Sequence, residues 1–225
     1  MVSARYDSFV MEHLKNICSA KVAVIVEDLG SRIAPLDYKQ LSDEIDLFNK
    51  ADLLIVQSTE MELYLKENGL KEMPVLCQRV WDYPYDFYLD EQEIDKKMDK
   101  IHDISMRHML DIKKAGLALT ATTDWENKYG LMINPFETGF CICACIPMIV
   151  PEQTNIAEFV SRYGIGFVMS EDENTDDVLN RISDGDIAQA QEQEKKLAPA
   201  VADGMFTKLM LQEVVCRIID NTCLI

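Results

Sequence analysis

Short apolar runs recur along this chain, and longer stretches with a helical pattern of apolar and polar residues separate them. The runs are rich in Val, Ile and Leu, and they occupy residues 21–26, 52–56, 74–78, 117–120, 147–150 and 165–169. Short continuous runs of this kind predict strands that are buried on both faces of a parallel sheet. Strands that alternate with helices predict an α/β fold, with Rossmann-like parallel sheets flanked by helices.

The intervening stretches predict the helices. Apolar positions recur at helical spacing over residues 9–17, 43–50, 60–68, 155–162, 176–182, 187–196 and 205–219. Ser58 and Thr59 predict the N-cap of the helix at 60–68, and Gly69 predicts its left-handed end. The longest periodic stretch, 91–115, is predicted to form one continuous helix that links the two halves of the chain.

The densest succession of elements lies between residues 125 and 169. A helix is predicted to open near Asn134 and Pro135, since Pro is favourable in a first helical turn, where its missing N–H would be unpaired. We divide the chain into two α/β halves, 1–90 and 91–225. The pattern leaves open whether these are two lobes with separate sheets or one merged sheet.

Composition and charge exclude several classes of function. The 225 residues carry a net charge of −17, which disfavours a nucleic-acid surface and binding to anionic lipid head groups. No apolar segment has the length of a signal peptide or of a bilayer span, so we expect a cytoplasmic protein.

The cysteines predict buried thiols and no metal site. There are seven, an odd number, mostly in apolar surroundings, which favours reduced thiols over a disulfide framework. On a helix Cys141 and Cys145 share a face and Cys143 points away, so the three do not converge on one tetrahedral ion.

Two groups of motifs carry a resemblance to a known family. The sequence N-P at 134–135, an apolar helix, I-P-M-I-V at 146–150 and Y-G-I-G-F at 163–167 together resemble the donor-binding half of bacterial GT-B glycosyltransferases. The resembling enzymes are of the adhesin-glycan and galactofuranosyltransferase-like type. The sequence A-D-L-L-I-V-Q-S at 51–58, followed by a helix and N-G-L at 68–70, resembles their acceptor-side lobe.

The resemblance implies a reduced, two-lobed GT-B fold. It implies a nucleotide-sugar donor, a glycan acceptor, no further cofactor, and a role in cell-surface polysaccharide or glycoprotein glycan synthesis. The resemblance does not determine whether the protein forms a homo-oligomer.

On the acceptor side the candidate catalytic residue is Asp28. Glu27 and Asp28 follow the first predicted strand at its carboxyl end, which is where α/β proteins bind ligands. The resembling enzymes carry a His-Asp pair here, so Asp28 matches and Glu27 departs. The alternative is a pair of solvated loop carboxylates.

On the donor side the resemblance implies four substrate-binding residues: Tyr129, Asn134, Glu137 and Thr138. A helix N-terminus offers free N–H groups and a positive dipole end to a diphosphate. The resembling enzymes commonly place a Lys where this chain has Glu137, and a Gly where it has Cys145. A carboxylate repels a diphosphate, and a Cys with positive φ is strained.

Two functions therefore remain open at the level of sequence. The first is a glycosyltransferase that uses a nucleotide sugar. The second is a catalytically inactive relative that acts as a binding or assembly partner. Glu137 favours the second, as does a helical pattern at 91–115, where the resembling enzymes have several strands of the donor lobe.

Overall fold

The computed structural model describes residues 4–33, 38–78, 80–83, 116–119, 132–134 and 137–220. The helices are α1 (Ala4–Ile17), α2 (Gly30–Ile33), α3 (Tyr38–Phe48), α4 (Thr59–Glu67), α5 (Glu137–Ala144), α6 (Asn155–Tyr163), α7 (Thr175–Arg181), α8 (Asp184–Ala202) and α9 (Met205–Val215), and a π-helical turn, Cys216–Asp220, follows α9. The strands are β1 (Ala23–Ile25), β2 (Leu53–Val56), β3 (Val75–Cys77), β4 (Ala118–Leu119), β5 (Met148–Pro151) and β6 (Gly166–Met169). Each strand overlaps one of the predicted apolar runs, and the predicted α/β fold is confirmed.

The chain forms two compact units, each with its own sheet. Unit 1 comprises Met1–Arg79 and Lys208–Ile225, and unit 2 comprises Val80–Thr207. Unit 1 contains a three-stranded parallel sheet in the order β1-β2-β3, and unit 2 contains one in the order β4-β5-β6. The described strands thus form two sheets and not one merged sheet.

The central strand of each sheet is the most deeply buried. All residues of β2 and of β5 are buried, which agrees with their uninterrupted apolar sequences, L-L-I-V and M-I-V-P. A strand that is flanked by strands on both edges and covered on both faces has no solvent-exposed position, so it needs no polar alternation.

The core of unit 1 includes the end of the chain. Leu53, Ile55 and Leu76 pack against Met210 and Val214 of α9. Helix α9 therefore completes the hydrophobic core beneath the first sheet, more than a hundred residues after that sheet ends in the sequence.

The core of unit 2 is built around α5, β5 and α6. Its fully buried members include Phe140, Ile142, Met148, Val150 and Val160. Helix α8 contributes through a face that contains Ala198 and Val201.

Several element boundaries differ from prediction. The helix predicted at 187–196 begins earlier, at Asp184, because Ser183 and Asp186 form a capping box there, and it continues to Ala202. The helix predicted to open near Pro135 begins at Glu137 in the described part of the chain. Helix α2 follows β1 where only a loop was predicted. The predicted helix at 91–115 and the predicted division at residue 90 lie outside the described residues.

An aspartate near the start of unit 2 caps the last helix. The Asp82 carboxylate accepts hydrogen bonds from the backbone N–H groups of Phe206 and Thr207, in the first turn of α9. These N–H groups have no partner within the helix, so a carboxylate there satisfies them and interacts favourably with the helix dipole. Asp82 thereby holds the segment 80–83 beside the residues at which the chain returns to unit 1.

We expect Asp82→Ala to lower the free energy of unfolding by roughly 1–2 kcal/mol, the usual cost of removing a helix cap. Chemical denaturation of the two proteins measures this. Asp82→Asn retains an acceptor at the same position and is expected to lose less. Equal losses in the two variants would show that the negative charge, and not the hydrogen bonds, is responsible.

Candidate functional site

Helix α5 carries two of the candidate donor-side residues in its first turn, Glu137 and Thr138. Its residues Thr138, Gly139, Phe140, Cys141 and Ile142 are all buried, so the helix is fixed in the core from its first turn. A helix that is anchored in this way presents its N-terminal N–H groups at a constant position.

The segment 80–83 lies directly across α5. A Cβ atom at Gly139 would be 2.2 Å from the carbonyl oxygen of Trp81, so only Gly allows this close approach. The rings of Tyr83 and Phe140 meet edge to face with centroids 5.7 Å apart. The Cys143 thiol donates to the carbonyl oxygen of Tyr83 at 3.7 Å. The ring of Tyr83, in the aromatic stretch at 81–88, therefore packs against α5, while residues 84–88 lie outside the described part of the chain.

Three of the four predicted donor-side residues lie together at the start of α5. Asn134 precedes the helix and is 4% exposed, Thr138 in the first turn is 1% exposed, and Glu137 beside it is half-buried. Within the residues that the structure describes, the Thr138 hydroxyl has no hydrogen-bond partner. Tyr129 lies outside those residues.

The start of α5 combines groups that could bind an anion with a group that would repel one. The first-turn N–H groups and the Thr138 hydroxyl are donors suited to a phosphate oxygen. Glu137 places a carboxylate in the same turn, where the helix dipole stabilises it. The first turn of α5 therefore brings together N–H donors, the Thr138 hydroxyl and the opposing charge of Glu137.

The strained cysteine predicted after α5 is present. Cys145 has φ of 54°, a left-handed conformation that favours glycine. It follows the last residue of α5, at the position where the resemblance implies a Gly.

A carboxyl group is buried beside α5. Glu194 of α8 is 0% exposed and lies in the buried stripe formed by Ala190, Ala198 and Val201. Neither of its oxygens has a hydrogen-bond partner within the described part of the chain. Burial raises the pKa of Glu194 to about 9, so this carboxyl is neutral at physiological pH.

The candidate catalytic residue on the acceptor side lies in unit 1. Glu27 and Asp28 are exposed and follow β1 at its carboxyl end, as predicted. Neighbouring β2 and β3 are followed directly by the buried polar residues Gln57, Ser58 and Gln78. The carboxyl ends of parallel strands meet at one edge of a sheet, so these residues line the edge that carries Asp28.

Family comparisons cover nearly the whole chain. The glucosyltransferase 3-like N-terminal domain matches residues 1–80, and the glucosyltransferase 3-like C-terminal domain matches residues 90–214. The chain belongs to the glucosyltransferase 3-like family.

Individual relatives of this glucosyltransferase 3-like chain agree with the family match. It is 24% identical to glucosyltransferase 3 of Streptococcus gordonii and 19% identical to glucosyltransferase 3 of Streptococcus parasanguinis, and each alignment covers 96% of this chain and 76% of the relative. Sucrose-phosphate synthase from Thermosynechococcus elongatus has a similar structure, with a TM-score of 0.56 and 12% identity over 93% of this chain and 72% of that one. The predicted resemblance to bacterial GT-B glycosyltransferases is confirmed, and so is the fold.

The cysteines of this glucosyltransferase 3-like chain are less uniformly buried than predicted. Cys141 is buried, but Cys18 and Cys77 are exposed, because Cys18 follows the last turn of α1 and Cys77 ends an edge strand. Burial raises the pKa of the Cys143 thiol to about 12, so it is neutral. Among the described residues, no group of three or more His, Cys, Asp or Glu side chains is placed to hold a metal ion.

Two further features of the site were missed from the sequence. Glu194 belongs to the hydrophilic segment A-Q-A-Q-E-Q-E-K-K, in which its four-residue spacing from Ala190 and Ala198 was the available signal. Gln57 is buried, and the motif at 51–58 contains no signal for that burial.

None of the described helices is both long enough and apolar enough to cross a bilayer.

Proposed function

We propose that this chain is a glycosyltransferase that takes a hexose, glucose in the first instance, from a nucleotide sugar. The acceptor in this proposal is a glycan or glycoprotein of the cell surface. The proposed roles are catalysis by Asp28 and donor binding by Tyr129, Asn134 and Thr138.

The observation that carries the proposal is the first turn of α5. Thr138 is buried there with a hydroxyl that no described residue satisfies, and a buried hydroxyl without a partner is costly unless a ligand or water pairs with it. The relatives named glucosyltransferase 3 favour glucose as the sugar to test first. The experiment is a calorimetric titration with UDP and UDP-glucose, coupled to detection of UDP released in the presence and absence of glycan acceptors.

A second candidate function rests on Glu137. A carboxylate in the first turn of α5 competes with a diphosphate for the same N–H groups. If it excludes the donor, the chain acts as an inactive relative that binds or assembles with a partner. Tight UDP binding by the natural protein would eliminate this candidate.

Reversing the charge of Glu137 is expected to strengthen UDP binding. Glu137→Lys removes a negative charge and adds a positive one within a few ångströms of the bound diphosphate. At effective dielectric constants of protein surfaces, we expect affinity at low salt to rise roughly tenfold or more. Parallel calorimetric titrations of both proteins with UDP measure the change.

Glu158→Lys is the matched control for this prediction. Glu158 lies in the first turn of α6 in the same unit and is exposed, so the substitution makes the same change in net charge at another helix N-terminus. UDP affinity is expected to stay near that of the natural protein. An equal gain in both variants would assign the effect to net charge, and no gain in either would show that α5 does not bind the diphosphate.

A further inference from the structure

The loop that carries Asp28 is held at both ends by buried polar side chains. The loop follows β1 and leads into α2. Asp28 itself is exposed, whereas Leu29, next to it, is fully buried. An exposed carboxylate on an anchored loop differs from an ordinary solvated loop acid, whose backbone carries no such restraint.

The first anchor comes from the neighbouring strand. The side-chain amide of Gln57, just past the end of β2, donates a hydrogen bond to the backbone carbonyl of Glu27. The Val26 N–H also donates to the Ile55 carbonyl at 2.8 Å, which extends the pairing of β1 and β2 beyond the strand itself. Gln57 is buried, so the donor of this bond is shielded from water although Glu27 itself is exposed. The backbone is therefore fixed one residue before Asp28.

The second anchor comes from α3. One carboxylate oxygen of Glu44 accepts from the Ser31 N–H at 3.3 Å and the other accepts from the Ser31 hydroxyl at 2.7 Å. Glu44 is only 7% exposed and Ser31 is fully buried. Burying a carboxylate is costly unless its hydrogen bonds are made, and an apolar contact would attach a surface loop at lower cost. The bidentate contact fixes orientation as well as position.

We infer that Gln57 and Glu44 are positioning residues, which hold the backbone on either side of Asp28 and so place its carboxylate at the edge of the first sheet. This inference rests on the proposed function for the role of Asp28, and on the geometry alone for how the loop is held. Neither residue contacts the reacting atoms in this proposal. Both act through Asp28.

The experiment combines local hydrogen exchange with turnover in the full chain. In Gln57→Leu and Glu44→Leu, amide exchange in residues 27–31 is expected to accelerate roughly tenfold while exchange in β2 stays unchanged. Release of UDP from UDP-glucose is expected to fall roughly 10- to 100-fold in kcat, with little change in KM, because a catalytic group displaced by about 1 Å loses up to that factor. Glu44→Gln retains an oxygen that accepts from Ser31 and is expected to recover most of the rate.

A double variant separates positioning from general stability. If Gln57 acts through Asp28, then adding Gln57→Leu to Asp28→Asn lowers the residual rate no further, since coupled residues are not additive. Gln212→Leu, at an exposed position on α9, is the control for a Gln-to-Leu change and should alter neither measurement.

Two results would overturn the inference. One is unchanged exchange at residues 27–31 in both Leu variants. The other is a full further loss of rate when Gln57→Leu is added to Asp28→Asn. A natural protein without turnover would refute the proposed function, and the exchange data alone would then decide whether the two side chains hold the loop.

Discussion

Replacing Glu194 with Gln is expected to raise the free energy of unfolding at pH 7 by about 3 kcal/mol. The natural side chain is 0% exposed, lies between α8 and α5, and has no hydrogen-bond partner among the described residues. The Cys141 thiol faces it from α5 and is itself neutral, because burial raises its pKa. None of the described groups that shift the pKa of Glu194 is a cation that would offset the cost of ionising it. Gln has nearly the same shape and carries no ionisable proton.

The sign of this effect follows from the number of protons that Glu194 binds in the folded and in the unfolded state. Burial raises the pKa of Glu194 from 4.5 to about 9, so the folded protein binds a proton that the unfolded chain releases at neutral pH. The natural protein therefore has its full stability at pH values below the pKa of Glu194 in the unfolded chain. Its free energy of unfolding falls as the pH rises from there to the pKa of Glu194 in the folded protein. The slope is about 1.4 kcal/mol per pH unit, which gives about 3 kcal/mol between the unfolded pKa and pH 7.

Chemical denaturation of both proteins over pH 5 to 8.5 measures the effect. The natural protein should lose stability steadily over this interval relative to Glu194→Gln, and the two curves should converge at the acid end. Glu192→Gln is the control on the same helix, because Glu192 is exposed and pairs with Lys195. Parallel curves for the natural protein and Glu194→Gln would contradict the prediction.

The local parts of the fold could be predicted from the sequence. Each apolar run formed a strand, and the prediction of burial on both faces is confirmed for the central strands β2 and β5. It is wrong for β1 and β4, where Ile25 and Leu119 are exposed, because these strands lie at the edges of the described sheets. The Ser58 cap was predicted and is observed, since its hydroxyl accepts from the Met61 N–H. The left-handed Cys145 was predicted from the resemblance and has the expected φ. These features depend on neighbouring residues, and the sequence contains them directly.

The features that were missed depend on contacts between distant residues. Asp82 caps a helix that begins more than a hundred residues later, and nothing near Asp82 in the sequence indicates that contact. Glu194 lies in a segment whose polar composition is typical of an exposed helix, and only the packing of α8 against α5 buries it. Gln57 directly follows an apolar strand, a position at which many polar residues are exposed. Burial of a single polar residue is a property of tertiary packing, and local pattern does not contain it.

Asp28→Asn is expected to lower the turnover of UDP-glucose by roughly 10²- to 10⁴-fold, the usual contribution of a positioned general base. The Asn side chain has nearly the same size but cannot take a proton from an acceptor hydroxyl. Donor binding should be preserved, because the proposed donor residues belong to unit 2 and Asp28 belongs to unit 1. The loss should therefore appear in kcat and not in the affinity for UDP measured by calorimetry.

Glu27→Gln is the control that distinguishes a catalytic Asp28 from a pair of solvated loop carboxylates. Glu27 adjoins Asp28, is exposed on the same loop, and stands where the resembling enzymes carry a different residue. Glu27→Gln removes one negative charge from the sheet edge, as Asp28→Asn does, but it leaves the candidate base intact. If Asp28 is the base, Glu27→Gln keeps most of the rate and Asp28→Asn loses it. If both carboxylates are only solvated, neither substitution changes turnover, and the catalytic role proposed for Asp28 is wrong.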